Sequence, residues 1–156
     1  MAYEKYERNI EETELILIGV NYRGMEIAQR LLHHLLHIAE NVMITVSRIQ
    51  LSPANPLAEA IHLEMPVEEL NGKSVIFVDD VANTGRTLFY AMQPIFEVLP
   101  KKVEAAVLVD RMHKSFPVRA DYIGHVLATT LGENIFVDII SENEEAAYLT
   151  SATSPK

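Results

Sequence analysis

The chain of 156 residues contains no cysteine, and no apolar run in it approaches the length of a membrane span. The lack of cysteine excludes disulfides, thiolate metal sites and a cysteine nucleophile, and it fits a cytoplasmic protein. A membrane span requires about 18 apolar residues in a row. The first residues also lack the apolar core of a signal peptide. We therefore expect a cytoplasmic location and no membrane partner.

Basic residues are few as well. Lys and Arg total 13 against 22 Asp and Glu, which gives a formal net charge of −9. Nucleic-acid binders usually carry a basic face, because phosphate neutralisation supplies most of their non-specific affinity. A basic patch can still exist on an acidic protein, so this balance argues against nucleic acid as a partner without excluding it.

Length and composition predict a single domain that spans residues 1–156. Hydrophobic residues make up 49% of the chain and charged residues 22%, which is typical of a globular protein with a substantial core. No internal repeat or linker interrupts the chain. The small and polar residues 150–156 predict a frayed tail.

The stretch from Ser74 to Thr87 combines a fold signal with a chemical one. Its four apolar residues 75–78 predict a central parallel strand that is buried on both faces. Asp79 and Asp80 stand where we expect this strand to end, and a turn of small residues leads into a helix at Arg86. Parallel sheets bind ligands at the carboxyl ends of their strands, and a turn that opens a helix offers N–H groups to a phosphate.

The acid pair indicates how a ligand could be held. Successive side chains of a strand point to opposite faces, so at a strand end Asp79 and Asp80 could flank a ligand from two sides. Carboxylates accept hydrogen bonds from vicinal hydroxyls and hold Mg²⁺, usually through water. Beside a phosphate-binding turn, they predict a site for a ribose 5-phosphate. The alternative is that the acids only cap the next helix. Capping requires one acid, so this alternative explains neither the second acid nor the Thr-Gly-Arg-Thr run.

Gly19 to Gly24 form a second loop after a buried strand. Its G-x-x-x-x-G spacing is not a P-loop, because Lys and Ser/Thr do not follow. Glycines let the backbone approach an anion closely, and Arg23 can pair with it. The alternative is a glycine turn that only joins strand to helix.

The remaining pattern predicts an α/β fold, an open and mostly parallel twisted sheet with helices on both faces. Pro94 should kink or divide the second of the two helices, and two prolines mark residues 51–58 as a loop. Besides the central strand, we expect strands at Leu15–Val20, Val42–Ile49, Ile61–Val67, Val103–Val109, Asp121–Val126 and Ile135–Ile139, and helices at Met25–Glu40 and Arg86–Val98.

The stretch 74–87 resembles the phosphoribosyl-diphosphate (PRPP) signature of type I phosphoribosyltransferases, which has four apolar residues, two acids and a short loop ending in Thr-Gly-x-Thr. A second stretch, VLVDRMHKSFPVRADYIG at residues 107–124, resembles the pyrimidine-operon attenuator family, whose bifunctional members also have uracil phosphoribosyltransferase activity. The similarity extends from about Leu15 to Asp138.

This resemblance implies the fold of that family, with a small hood, and a glycosyltransferase that uses PRPP and Mg²⁺. The enzyme would join a pyrimidine base, with uracil favoured, to the ribose phosphate and release diphosphate. Relatives are often dimers or larger, which implies a homo-oligomer. The family motifs also imply a role for individual residues. The 5′-phosphate would be cradled by Ala82, Asn83, Thr84, Gly85, Arg86 and Thr87, and the ribose hydroxyls and the metal would be held by Asp79 and Asp80. Diphosphate would be bound by Arg23 with Asn21 and Tyr22, and the base would be bordered by Asp110 and Arg111.

Three positions depart from the family pattern. The loop Leu51–Ala58, a flap with charged side chains in the family, carries no charge, and Asn21 stands where relatives commonly have Lys. Asn83 replaces an acid of many purine-specific relatives, which favours a pyrimidine. The uncharged flap leaves a second function open, a PRPP- or nucleotide-binding regulator with little catalysis. An RNA-binding attenuator is a third, and it would require a basic surface.

Overall fold

Six strands form the central sheet of the protein. The computed structural model describes residues 12–39 and 41–127, and the backbone alone of residues 133–138 and 146–151. The strands are β1 (Glu14–Val20), β2 (Met43–Gln50), β3 (His62–Leu63), β4 (Ser74–Ala82), β5 (Lys102–Arg111) and β6 (Tyr122–Leu127). They lie in the order β3-β2-β1-β4-β5-β6, and every neighbouring pair is parallel except β2 and β3. The predicted α/β fold is confirmed.

Helices cover both faces of this sheet. On one face, α1 (Asn21–Leu36) packs Ile27 and Leu31 against β1 and β4. On the other face, α2 (Arg86–Ala91) and the 3₁₀ helix Gln93–Glu97 form a second core around Phe77 and Leu88. Since β1 and β4 contribute side chains to both cores, their apolar residues follow one another without alternation.

Two further strands, β7 (Glu133–Asp138) and β8 (Ala146–Ser151), form a separate antiparallel pair. The predicted strand Ile135–Ile139 overlaps β7. Thr150 and Ser151, which the sequence analysis assigns to the tail, lie in β8, and residues 152–156 are outside the described part of the chain.

The first turn of α1 differs from the prediction, which placed residues 19–24 in a loop and began the helix at Met25. A Cβ atom on Gly19 would lie 2.3 Å from the Cα atom of Met25, and a Cβ atom on Gly24 would lie 2.3 Å from the carbonyl oxygen of Val78. Because neither residue has a side chain, α1 begins immediately after β1 and lies directly on β4. These glycines are therefore required for packing, whatever they do for a ligand.

Three other boundaries follow from proline and from strand pairing. The predicted strand Ile61–Val67 is wrong beyond residues 62–63, because Pro66 is followed by the 3₁₀ helix Val67–Leu70. The predicted division of helix 86–98 is confirmed, since α2 ends at Ala91 and the 3₁₀ helix that contains Pro94 follows. The predicted end of the central strand at Asp79 and Asp80 is wrong, because β4 still pairs with β5 at Ala82.

The connections place a crevice between β1 and β4. The chain passes from β1 through α1 to β2 on one side, and from β4 through α2 to β5 on the other. The strand order thus reverses between β1 and β4, the position at which open α/β sheets bind ligands beyond the carboxyl ends of their strands. No helix in the described ranges is long and apolar enough to cross a membrane.

Candidate functional site

The turn between β4 and α2 borders a small hollow. Gly85 has a φ of +83°, a left-handed conformation that glycine adopts without strain. The exposed Thr84 accepts a hydrogen bond from the N–H of Arg86 through its Oγ1, at 3.3 Å. The hollow has a volume of about 60 Å³ and is lined by Asp79 and by residues 81–88. The turn predicted to bind phosphate therefore faces open space.

Asp79 is buried at the base of this hollow, with 6% of its surface exposed. Its Oδ1 accepts a hydrogen bond of 2.9 Å from the N–H of Asp80. Burial raises the pKa of Asp79 well above its ordinary value, and the negative charge of Asp80 raises it further. Asp79 therefore holds its proton more tightly than a solvent-exposed aspartate does.

Asp80 has a different environment, since it contacts α1. Its Oδ2 lies 3.3 Å from Nη1 of Arg23, and its Oδ1 accepts a hydrogen bond of 2.8 Å from the N–H of Val81. Because β4 continues past both acids, Asp79 and Asp80 do not face one ligand as a frayed strand end would allow. Asp80 has a cationic partner in Arg23, the side chain that the resemblance assigns to diphosphate.

A larger hollow of about 580 Å³ lies beside the start of α1. Asn21 has a φ of +55°, and its Oδ1 accepts a hydrogen bond of 3.0 Å from the N–H of Leu51. Arg48 also lines the hollow, but it forms an ion pair with Glu64 through a 2.8 Å contact from its Nε. The full lining is Asn21, Tyr22, Arg48, Gln50, Leu51, Ser52, Glu59, Ala60 and His62.

The loop from Leu51 to Ala58 contacts both sides of the site. Its first N–H donates to Asn21, and the carbonyl oxygen of Pro53 accepts a hydrogen bond of 2.8 Å from Nη2 of Arg86. The guanidinium of Arg86 thus contacts this loop, whereas the family resemblance places Arg86 in the 5′-phosphate cradle. The loop contributes backbone groups and apolar side chains, and no charge.

The segment after β5 folds back onto the phosphate turn through Lys114. The Nζ of Lys114 donates to Oδ1 of Asp110 at 2.5 Å and to the carbonyl oxygens of Ala82, Arg111 and Asn83 at 2.7, 2.7 and 3.1 Å. Asp110, assigned to the base, is therefore paired with Lys114. Lys114 belongs to the stretch 107–124, which by its resemblance to the attenuator family would lie around the base. Its position four residues after an acid at a strand end is a local signal for such a pair.

The acids fit Mg²⁺ that arrives with a phosphorylated ligand better than a metal held by protein alone. No group of three or more His, Cys, Asp or Glu side chains that could hold a metal occurs among the described residues. Mg²⁺ usually binds one or two carboxylates together with substrate phosphates, and it keeps several waters. The Asp80 side chain is 16% exposed and can serve in this way. Asp79 is 6% exposed and lines the smaller hollow.

Comparison with known proteins agrees with this fold. Residues 1–136 match the family model described as the phosphoribosyl transferase domain. The chain therefore belongs to the phosphoribosyltransferase family and is an enzyme of the glycosyltransferase type.

Its similar relatives include proteins named bifunctional protein PyrR. The protein of Enterococcus faecalis is 36% identical over 145 residues, which cover 89% of this chain and 81% of the relative. Those of Streptomyces coelicolor and Listeria monocytogenes are also 36% identical, and the matches cover 97% and 96% of this chain and 82% and 87% of the relatives. The resemblance drawn from residues 74–87 and 107–124 is confirmed.

Solved structures support the fold. The hypoxanthine phosphoribosyltransferase of Trypanosoma cruzi has a TM-score of 0.70 at 22% identity, with 87% of this chain and 75% of that chain covered. A hypoxanthine-guanine phosphoribosyltransferase of Bacillus anthracis has a TM-score of 0.63 at 22% identity, with 81% and 73% covered.

Proposed function

We propose that the protein transfers the ribose 5-phosphate of PRPP to a pyrimidine base, with uracil favoured, in a Mg²⁺-dependent reaction that releases diphosphate. The observation that carries this proposal is that the phosphate turn and the Arg23–Asp80 pair both lie at the carboxyl ends of β1 and β4, where the strand order reverses. The preference for a pyrimidine rests on the resemblance of residues 107–124 to the pyrimidine-operon attenuator family.

In this reaction positive charge develops on the ribose and negative charge develops on the leaving group. The turn Ala82–Thr87 would hold the 5′-phosphate through N–H groups and the Thr84 hydroxyl, and Asp80 would accept the ribose hydroxyls. Arg23 would leave Asp80 and bind the diphosphate, a charge-assisted contact that strengthens as the leaving group departs. Bound Mg²⁺ would neutralise diphosphate charge.

The raised pKa of Asp79 favours a phosphate in the hollow that it lines. Because burial and the charge of Asp80 raise this pKa, Asp79 ionises less readily than an exposed aspartate and repels a phosphate less. In this assignment Asp79 shapes the floor of the site, and Asp80 makes the ribose contact.

Asn83 supports a base that donates a hydrogen bond. Its Oδ1 is buried and has no hydrogen-bond partner among the described residues. A buried acceptor without a partner is costly, and a ligand N–H would remove that cost. We therefore propose a donor group of the base, or of a bound water, near Asn83.

A second candidate function is a PRPP- or nucleotide-binding regulator with little turnover. It is favoured by the uncharged Leu51–Ala58 loop, and by Arg48, whose charge is balanced by Glu64. A loop without cations can exclude water but cannot neutralise a departing diphosphate. RNA binding is a third candidate, which the net charge of −9 disfavours.

The test combines titration calorimetry with a panel of bases on one preparation. The proposed enzyme forms UMP from uracil only when PRPP and Mg²⁺ are both present. Saturable binding of PRPP or UMP without product from any base supports the regulator instead. A protein that binds neither ligand contradicts both candidates.

We also propose a homo-oligomer. Leu36 and Met43 are exposed by 57% and 66%, and neighbouring copies could cover them. Light scattering coupled to size exclusion would give a mass above 17.6 kDa, and a monomer at high concentration would contradict it. A cytoplasmic location stays a prediction from the sequence.

A further inference from the structure

We propose that Lys114 is a positioning residue that fixes the orientation of the phosphate turn, so that ligand affinity depends on its ammonium group. The inference rests on the proposed function, since it concerns the same turn. Lys114 itself need not touch a ligand.

The ammonium of Lys114 occupies a cage of oxygen atoms. Its Nζ lies within 3.1 Å of three carbonyl oxygens, those of Ala82, Asn83 and Arg111, and of one carboxylate oxygen of Asp110. An ammonium has three N–H donors, so the four acceptors share them. The Lys114 side chain is 20% exposed and that of Asp110 is 14% exposed. Such partly desolvated, charge-assisted hydrogen bonds are stronger than neutral ones.

The cage determines where the N–H groups of the turn point. A peptide unit is planar and trans, so its carbonyl oxygen and the next N–H point in opposite directions. When Lys114 holds the carbonyl oxygens of Ala82 and Asn83, it also directs the N–H groups of Asn83 and Thr84 away from itself. The carbonyl oxygen of Thr84 is held in the same way by the N–H groups of Ser115 and Phe116.

Three successive peptide units of the phosphate turn are therefore fixed by the segment 110–116. Among the described residues, no hydrogen bond uses the N–H groups of Thr84 and Gly85. These are donors of the kind that a phosphate requires. Without the ammonium, four oxygen atoms would repel one another, and the carbonyl oxygens of Ala82 and Asn83 would lose these hydrogen bonds.

Lys114 also joins the two halves of the site. Through Asp110 and Arg111 it holds the end of β5, which is assigned to the base, and through Ala82 and Asn83 it holds the end of β4. A nucleotide that spans both regions should therefore lose affinity when the ammonium is removed.

The first experiment compares Lys114→Met with Lys101→Met by titration calorimetry with UMP and with PRPP–Mg²⁺. Methionine keeps most of the length of the lysine side chain and removes its charge. Lys101 pairs with Glu12 at the opposite end of β5 and serves as the matched control. We expect Lys114→Met to weaken binding about tenfold to hundredfold, since charged hydrogen bonds are lost at the turn. The control should stay within about twofold, as an exposed ion pair contributes little.

The second experiment restores the missing ammonium to Lys114→Ala with free propylammonium. We expect millimolar propylammonium to recover much of the UMP affinity, and tetramethylammonium, which has no N–H donor, to recover none. Circular dichroism follows the fold of each variant. A variant that folds only with propylammonium also supports the role, because the ammonium then acts without its covalent link.

Two results overturn the inference. One is wild-type affinity in Lys114→Met. The other is a Lys114→Ala protein that propylammonium does not rescue, whether it is folded or unfolded, because Lys114 would then act only as part of the general packing. A wild-type protein that binds neither UMP nor PRPP overturns the proposed function itself, so the two failures are distinguishable.

Discussion

Arg23 of α1 and Asp80 of β4 form an ion pair at the carboxyl end of the sheet, with Nη1 3.3 Å from Oδ2. The two residues are 57 positions apart in the chain, and they meet because α1 lies directly on β4. In the proposed reaction one would bind diphosphate and the other ribose. Each partly neutralises the charge of the other, so under the proposed function PRPP and its metal would compete with this pair.

Asp80→Asn should weaken PRPP–Mg²⁺ binding by about 1.5–3 kcal/mol, because the variant loses a charged acceptor for the ribose hydroxyls and the metal. Release of Arg23 would offset part of this loss. The measurement is calorimetric titration. The control is Glu26→Gln, because Glu26 forms an ion pair with Arg30 at 3.2 Å on α1, the helix that also carries Arg23. A wild-type binding constant for Asp80→Asn would exclude Asp80 from the site.

Thr84→Val should weaken binding of UMP by about 1–3 kcal/mol, because the phosphate would lose a hydroxyl donor at nearly constant side-chain volume. Thr84→Ser is the matched control, since it keeps the hydroxyl. The Oγ1 atom of Thr84 accepts a hydrogen bond from the N–H of Arg86, which leaves the hydroxyl proton to donate. Equal affinities for the two variants would show that the hydroxyl does not contact the phosphate.

The core strands could be predicted because their signal is local. Leu15 to Ile18 and Val75 to Val78 are apolar at consecutive positions, as strands covered on both faces must be. The boundaries were predicted less well. The start of α1 depends on the approach of Gly24 to the carbonyl of Val78, a contact across the sheet that no pattern near residue 24 contains.

For the candidate site, too, local features could be predicted from the sequence and contacts between distant residues could not. The sequence placed Asp79, Asp80 and the turn 82–87 together, because a strand end and the following turn are neighbours in the chain. It did not reveal which oxygen atom each cation contacts. Lys114 meets the carbonyl of Ala82 from 32 positions away, and Arg86 meets that of Pro53 from 33 positions away. Such partners depend on how separate loops fold over the same edge of the sheet.

Asn21→Ala and Asn21→Gly should differ in their cost to stability. Both variants lose the hydrogen bond to the N–H of Leu51, but only alanine must adopt the φ of +55° with a Cβ atom. We expect Asn21→Ala to lower the free energy of unfolding by about 1–2 kcal/mol more than Asn21→Gly does. Urea denaturation of both variants measures this difference. Equal stabilities would show that the left-handed conformation at residue 21 does not persist in solution.

Asp79→Asn should change how stability depends on pH. Burial and the charge of Asp80 raise the pKa of Asp79 in the folded protein, so the folded state holds this proton more tightly than the unfolded state, whose aspartate titrates near pH 4. The wild type therefore loses free energy of unfolding as the pH rises from about 4 through the raised pKa. Asparagine cannot ionise, so the variant should gain stability relative to the wild type over that range and reach a constant difference above it.

Urea denaturation between pH 4 and pH 8, with the exposed Glu69→Gln as control, provides the measurement. Parallel pH profiles for Asp79→Asn and the wild type would mean that Asp79 ionises in the folded protein as easily as in the unfolded chain, and the hollow beneath the phosphate turn would then carry a full negative charge.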